Sequence, residues 1–183
     1  MAMDGQYTHC STASDAGMEM FRILGLVVLM AAVYGIIHDQ ITARIYPAYF
    51  NVDHPDLGYP AIFHSSNPTV LAFAWGIVAT VPLATVLGTM IAIAAQAGRG
   101  SRISANDLFK PLLLVFGSMA LMAVAGGIWG YHAWQADSKL FVARREMADF
   151  CAHLMSYCGG LLGAVVLVIW IVIHRRTAGS PGA

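Results

Sequence analysis

The chain has 183 residues, of which 58% are hydrophobic and only 11% are charged, and its mean hydropathy is +0.65. Soluble domains carry about a quarter charged residues, so this composition excludes an ordinary soluble domain and is typical of an integral membrane protein. Lys and Arg together balance Asp and Glu, so the formal net charge is zero, which argues against a nucleic-acid partner.

The N-terminal residues 1–18 are small and polar and contain no Lys or Arg. A secretory signal needs a basic start, so we predict that the first apolar run is retained in the membrane. Residues 1–18 are predicted to be mobile. The first transmembrane helix is predicted over about 19–46, because Pro47 cannot continue a helix.

Residues 47–67 are predicted to form a loop, because Pro, Gly and Ser interrupt them. The loop is unusually rich in aromatic residues, which are Tyr49, Phe50, Tyr59 and Phe63. A solvated linker would be more polar, so this loop is predicted to pack on the bundle or to lie among the lipid headgroups.

Three further helices are predicted over about 68–97, 106–135 and 145–174, followed by a disordered tail over 175–183. Asn67 and Pro68 form a typical helix start, and Pro82 is expected to kink the second helix. The fold class is therefore an all-α bundle of four transmembrane helices in a single domain over 19–174.

The distribution of Lys and Arg predicts the orientation of the bundle. Positive charge is enriched on the cytoplasmic side of membrane proteins. One set of helix ends carries Arg22, Arg99, Arg102, Lys110, Arg175 and Arg176, whereas the other carries Arg44, Lys139, Arg144 and Arg145. We therefore predict a multi-pass protein of the inner membrane, with both termini cytoplasmic and the 47–67 loop outside.

Five of the seven histidines fall at the predicted outer ends of the helices. His54 and His64 lie in the loop, and the other three lie on three different helices. In the fourth helix Asp149, His153 and Tyr157 share one face because they are spaced by four residues. In the first helix His38 continues a face of small residues, and in the third helix Ser118, Ala125 and His132 repeat every seven residues.

This pattern predicts a His/carboxylate site at the outer rim of the bundle. Imidazole is a common ligand of transition metals, and carboxylates complete or orient such sites. The predicted ligands are His38, His132, His153, Asp39 and Asp149, with Tyr157 as a hydrogen-bonding partner of the cofactor. The cofactor would be Zn, Cu, Fe or a haem held by two histidines. Histidines at a membrane interface also serve as helix caps or headgroup contacts, so a purely structural role stays open.

Two other functions remain open at this point. Faces of small residues are typical of helix packing, so the chain is also a candidate accessory subunit that binds another membrane protein or itself. A small transporter or proton-coupled carrier is the third possibility, since Pro82 lies near the middle of a span. No charged residue lies near the membrane centre and no inverted repeat is visible, which argues against that possibility. The sequence shows no recognisable pair of nucleophile and general base, so it indicates no particular enzyme.

The segment from Tyr34 to Phe50 reads YGIIHDQITARIYPAYF. It resembles a segment of an uncharacterised family of small bacterial four-helix membrane proteins, with the approximate pattern GxxHDQ(I/V)Txx(I/V)xPEYF. The resemblance covers less than a tenth of the chain, and Ala48 replaces the Glu of the pattern. It implies a bacterial four-helix membrane protein whose first helix has a characteristic outer end, and it implies no activity or cofactor.

Overall fold

The computed structural model describes residues 13–53, 65–98, 101–133 and 141–178. Within these ranges the chain is helical and contains no strand. Its elements are α1 (Ala13–Ile45), a π-helical turn (Tyr49–Asp53), α2 (Pro68–Val78), α3 (Thr80–Gln96), α4 (Ala105–Ala133) and α5 (Phe141–Ala178).

Among the described residues, four helical stretches are long and apolar enough to cross a membrane, with mean hydropathies between 2.1 and 2.3. They cover Ser14–Ile45, Pro68–Gln96, Ala105–Ala133 and Ala143–Thr177. The prediction of an all-α protein with four spans is therefore confirmed. Since the number of spans is even, the beginning of α1 and the end of α5 lie on the same side of a bilayer.

The helix ends differ in places from those expected. Helix α1 already begins at Ala13, inside the segment predicted to be mobile, and α5 continues to Ala178, inside the predicted tail. The predictions for His54, His64, Tyr59 and Phe63 lie outside the described residues, as do those for the chain before residue 13 and after residue 178.

The second predicted helix is broken at Ala79 into α2 and α3. Pro82 has no N–H to donate to the carbonyl of Val78, and its ring crowds that carbonyl, so the helix is interrupted one turn before the proline. The Thr80 hydroxyl donates to the carbonyl of Gly76 at 2.5 Å. At the start of α2, the Asn67 side chain accepts a hydrogen bond from the backbone N–H of Thr69 at 2.9 Å, as its position before Pro68 predicted.

The bundle consists of two closely packed pairs of spans. In one pair α1 packs on the span formed by α2 and α3, and in the other α4 packs on α5. Glycines make this close packing possible, because they let helix backbones touch. A Cβ atom added to Gly76 would lie 2.6 Å from the backbone nitrogen of Ile36, and one added to Gly126 would lie 2.6 Å from the carbonyl oxygen of Cys151. Gly126 therefore faces α5 at a close contact between the two helices.

The π-helical turn packs on Leu71 and Trp75 of α2. The indole N–H of Trp75 donates to the carbonyl of Phe50 at 3.1 Å, and Phe50, Leu71 and Trp75 are all buried. The aromatic residues after α1 thus fold back onto the bundle, as expected for this part of the loop. They bring Tyr49 and Phe50 over the ends of α1 and α5.

The opposite end of the bundle is tied together by polar contacts with the backbone. Glu19 of α1 accepts a hydrogen bond from the N–H of Ala105, the first residue of α4, at 2.7 Å. Arg175 of α5 donates from Nε to the carbonyl of Ser101 at 2.7 Å. Beneath these contacts lies an apolar core that includes Ile23, Leu108, Leu112 and Ile171. Both ends of the bundle are therefore fixed across helices.

Candidate metal site

Helices α1 and α5 bring together two histidines and a carboxylate. His38 and Asp39 lie in the last two turns of α1. His153 lies on the side of α5 that faces these two residues. One potential ligand atom from each of these residues lies within 4.8 Å of the other two. The Nε2 atom of His38 is buried and has no hydrogen-bond partner among the described residues. A donor set of this kind suits a transition-metal ion.

The ring of His153 is held between two oxygen atoms. Its Nδ1 lies 2.9 Å from the carbonyl oxygen of Asp149, and its Nε2 lies 3.3 Å from Oδ1 of Asp39. Because a carbonyl oxygen only accepts hydrogen bonds, Nδ1 must carry a proton. In the neutral imidazole the lone pair is then on Nε2, directed towards Asp39. This is the arrangement found in metal-binding histidines, whose second nitrogen donates to a carbonyl or carboxylate.

Asp149 adds a second buried carboxylate to the cluster. It is fully buried, and its Oδ2 lies 3.4 Å from Nδ1 of His153. This contact is an ion pair only when His153 is protonated, and neither carboxylate oxygen of Asp149 has a hydrogen bond among the residues described. Asp39 is also almost completely buried. Burying two carboxylates is costly unless positive charge or protons compensate them, and a divalent cation between neutral histidines would make the cluster electrically neutral.

Aromatic rings enclose the cluster. The ring centroid of His153 lies 4.7 Å from that of His38, 4.5 Å from that of Tyr49 and 5.8 Å from that of Phe50. Burial, and then the negative charge of Asp149, raise the pKa of the Tyr49 phenol, so this group stays neutral. Tyr49 therefore covers the site as a neutral aromatic residue.

A small cavity of about 30 Å³ adjoins His38, Asp39 and His153. A site that holds one water needs at least ~10–15 Å³, so the cavity has room for one or two small species. On its deeper side, the hydroxyls of Tyr34 and Ser156 are hydrogen-bonded at 2.8 Å. The Tyr34 ring also stacks on His38, with centroids 5.8 Å apart. Polar groups thus continue from the cluster towards the membrane interior.

His132 is not among the three residues whose potential ligand atoms converge in the described part of the chain, which are His38, Asp39 and His153. His132 lies at the end of α4 with an exposed side chain, and Ser118 and Ala125 of the same predicted face are also exposed. The opposite face of α4, with Gly126 and Gly130, packs on α5 instead, because small residues allow the closest approach. The seven-residue repeat in this helix thus does not face the cluster, and the role of His132 as a ligand stays a prediction.

Tyr157 lies one turn below His153 and lines the same small cavity, with 38% of its surface exposed. Its role as a hydrogen-bonding partner of a cofactor also stays a prediction. His38, Asp39, Asp149 and His153 are the predicted residues that the fold brings together.

Four residues that lie around the cluster were not among the predicted site residues, namely Tyr34, Tyr49, Phe50 and Ser156. The aromatic character of the loop predicted its packing but not its position over His153. Ser156 follows His153 by three residues on α5, and this helical spacing was the available signal. Its partner Tyr34 precedes His38 by four residues on α1.

No protein-family model, curated protein or solved structure matches this chain.

Proposed function

We propose that this membrane protein binds one divalent transition-metal ion at the α1–α5 contact. The ligands would be Nε2 of His38, the carboxylate of Asp39 and Nε2 of His153. The single observation that carries the proposal is the convergence of three donor groups within 4.8 Å. The unsatisfied Nε2 of His38 and the orientation of His153 by Asp149 support it further.

The donor set favours a single ion. Two histidines and one carboxylate bind Zn²⁺ in hydrolytic sites and Fe²⁺ in oxygen-activating sites, and both kinds of site keep positions open for water or substrate. A haem with His38 and His153 as its two axial ligands fits less well, because the two rings already touch and leave no space for a macrocycle between them. The 30 Å³ cavity next to the ligands would accommodate a metal-bound water.

We further propose that the protein lies in a bacterial inner membrane with the metal site on the extracytoplasmic side. The excess of Lys and Arg at the opposite helix ends supports this orientation. The resemblance of residues 34–50 to bacterial four-helix membrane proteins supports the bacterial origin. This same segment supplies His38 and Asp39 and ends at Tyr49 and Phe50, which cover His153.

The test is equilibrium Zn²⁺ binding to the purified full chain in detergent, followed by elemental analysis. The wild type is expected to bind one Zn²⁺ per chain. His38→Ala and His153→Ala should each weaken binding by at least about tenfold, since each removes a ligand. His132→Ala is the matched control, because it removes a histidine from the same end of the bundle but outside the cluster. Equal binding by the wild type and both ligand variants would refute the proposal.

A proton relay is the second candidate function. It is favoured by one specific observation, the close spacing of titratable and hydroxyl groups. The His153 ring lies 3.4 Å from the Asp149 carboxylate and 3.3 Å from that of Asp39, and the hydrogen-bonded Tyr34–Ser156 pair lies beside them. Histidine and carboxylate chains of this kind carry protons in pumps and transporters. A folded wild type that binds no metal, together with proton flux into liposomes that Asp39→Asn abolishes, would favour the relay.

A further inference from the structure

A groove separates the two helix pairs on the side of the cluster. It lies between α1 and α4, and its volume is about 720 Å³. Its walls within the span are mostly apolar and include Ile37, Ile41, Val124, Gly127 and Ile128. Sites for small organic ligands typically measure ~300–1,000 Å³, so the groove is large enough for a ligand of that size.

The groove follows from the way the glycines are placed. Gly35 of α1 packs against Gly76 of α2, and Gly130 of α4 packs against the backbone of Met147 in α5. These contacts draw each helix towards its own partner and away from the other pair. Gly127 is different, because a Cβ atom there would meet only ordinary contacts at 3.5 Å. The space between α1 and α4 is therefore a product of the fold and opens sideways to the membrane.

Two arginines lie at the rim of the groove. Arg44 of α1 and Arg145 of α5 both line it, and Nη2 of Arg145 donates to the carbonyl of Arg44 at 3.0 Å, across the gap between the two helices. The Arg44 guanidinium bonds to Oε1 of Gln40 at 2.7 Å and to Oγ1 of Thr69 at 2.9 Å, both of which are uncharged. No carboxylate is among the residues that line the groove in the described part of the chain.

An apolar groove in the span with two arginines at its rim matches one class of ligand in charge and polarity. We propose that the groove binds an anionic phospholipid, with an acyl chain between α1 and α4 and the phosphate at Arg44 and Arg145. Arginine pairs well with phosphate because its N–H groups match the phosphate oxygens, and basic pockets between transmembrane helices bind anionic headgroups. This site is independent of the proposed metal, although His38 belongs to the wall of both.

The position of the rim fixes the depth of the lipid. Arg44 follows His38 by six residues, which corresponds to roughly 9 Å along a helix. A headgroup at Arg44 therefore places the upper part of its acyl chain at the level of His38. The bound lipid would close the groove side of the metal cluster against the bilayer.

The experiment is native mass spectrometry of the detergent-purified full chain with an equimolar mixture of phosphatidylglycerol and phosphatidylcholine that have identical acyl chains. We expect phosphatidylglycerol adducts to exceed phosphatidylcholine adducts by about tenfold, as charge-assisted contacts allow. The double variant Arg44→Gln, Arg145→Gln should bring this ratio close to one. The double variant Arg102→Gln, Arg176→Gln removes the same charge at the opposite end and should keep the ratio.

A second pair of variants tests the groove itself. Gly127→Leu fills the groove and should reduce phosphatidylglycerol binding about tenfold. Gly117→Leu is the matched control on the same helix, because nothing lies within 4 Å of a Cβ atom there, and it should leave binding unchanged. Equal adducts of both lipids on the wild type, unchanged binding by Gly127→Leu, or a lipid-free dimer in place of lipid adducts would overturn the proposal. If the double arginine variant fails to fold, the ratio of the two lipids on the wild type and the comparison of Gly127→Leu with Gly117→Leu still test the proposal.

Discussion

Asp149 determines the charge balance of the cluster without being one of the three proposed ligands. Its carbonyl fixes the tautomer of His153, and its carboxylate lies buried 3.4 Å from the same ring. In the metal-bound state this carboxylate and Asp39 would together neutralise a divalent ion. Without the ion, the two buried carboxylates need the proton of an imidazolium or protons of their own.

Asp149→Asn should therefore weaken Zn²⁺ binding about 10–100-fold, the effect typical of residues that orient a metal ligand. The backbone hydrogen bond to His153 is retained in this variant, so the loss would report the missing charge. Zn²⁺ titration of the purified variant measures the effect. Glu146→Gln is the control, because Glu146 lies on the same helix with an exposed side chain, and it should bind Zn²⁺ like the wild type. Unchanged affinity in Asp149→Asn would contradict this role.

Among the elements, the contact between α1 and α2 holds His38 and Asp39 in place. Gly35 lies directly before the cluster, and a Cβ atom there would lie 2.5 Å from Cγ2 of Thr80 and even closer to the carbonyl oxygen of Gly76. Because backbone forms one side of this contact, an added methyl group forces α1 and α2 apart.

Gly35→Ala is expected to lower the free energy of unfolding by about 1–3 kcal/mol, the usual effect of overpacking. Unfolding in mixed micelles measures this change. Gly25→Ala is the matched control, since nothing lies within 4 Å of a Cβ atom at that position of the same helix. It should be neutral or stabilise the protein by up to ~1 kcal/mol, because alanine has the higher helix propensity. Equal stabilities of the two variants would contradict the packing argument.

The sequence predicts which helices exist better than it predicts which helix faces contact each other. The four spans follow from long apolar runs, and the pairing of His153 with Asp149 on one face follows from helical spacing. The position of α4 depends on Gly126 and Gly130, whose close contacts with α5 turn His132 outwards. Periodicity alone gives each helix a face but does not say which neighbour that face meets. The position of Tyr49 over His153 likewise depends on a turn that only the folded chain defines.

For the whole molecule, the proposed orientation places the cluster at the extracytoplasmic ends of the helices. In a background without the native cysteines, a membrane-impermeant maleimide should label Ser65→Cys in intact cells, because Ser65 precedes α2 at the cluster end. Ser104→Cys, just before α4 at the other end, should react only after the cells are opened. The reverse pattern would show that the distribution of Lys and Arg does not set the orientation of this protein.

The proposed metal site assigns one role to the buried histidines and carboxylates at the α1–α5 contact. The most direct test is X-ray absorption spectroscopy at the zinc edge of the Zn²⁺-loaded full chain. We predict one bound zinc whose first shell contains two imidazole nitrogens at about 2.0–2.1 Å together with oxygen ligands. The number of imidazole ligands should fall from two to one in His38→Ala. A folded protein that retains no zinc, or zinc surrounded by oxygen atoms without imidazole, would contradict the account.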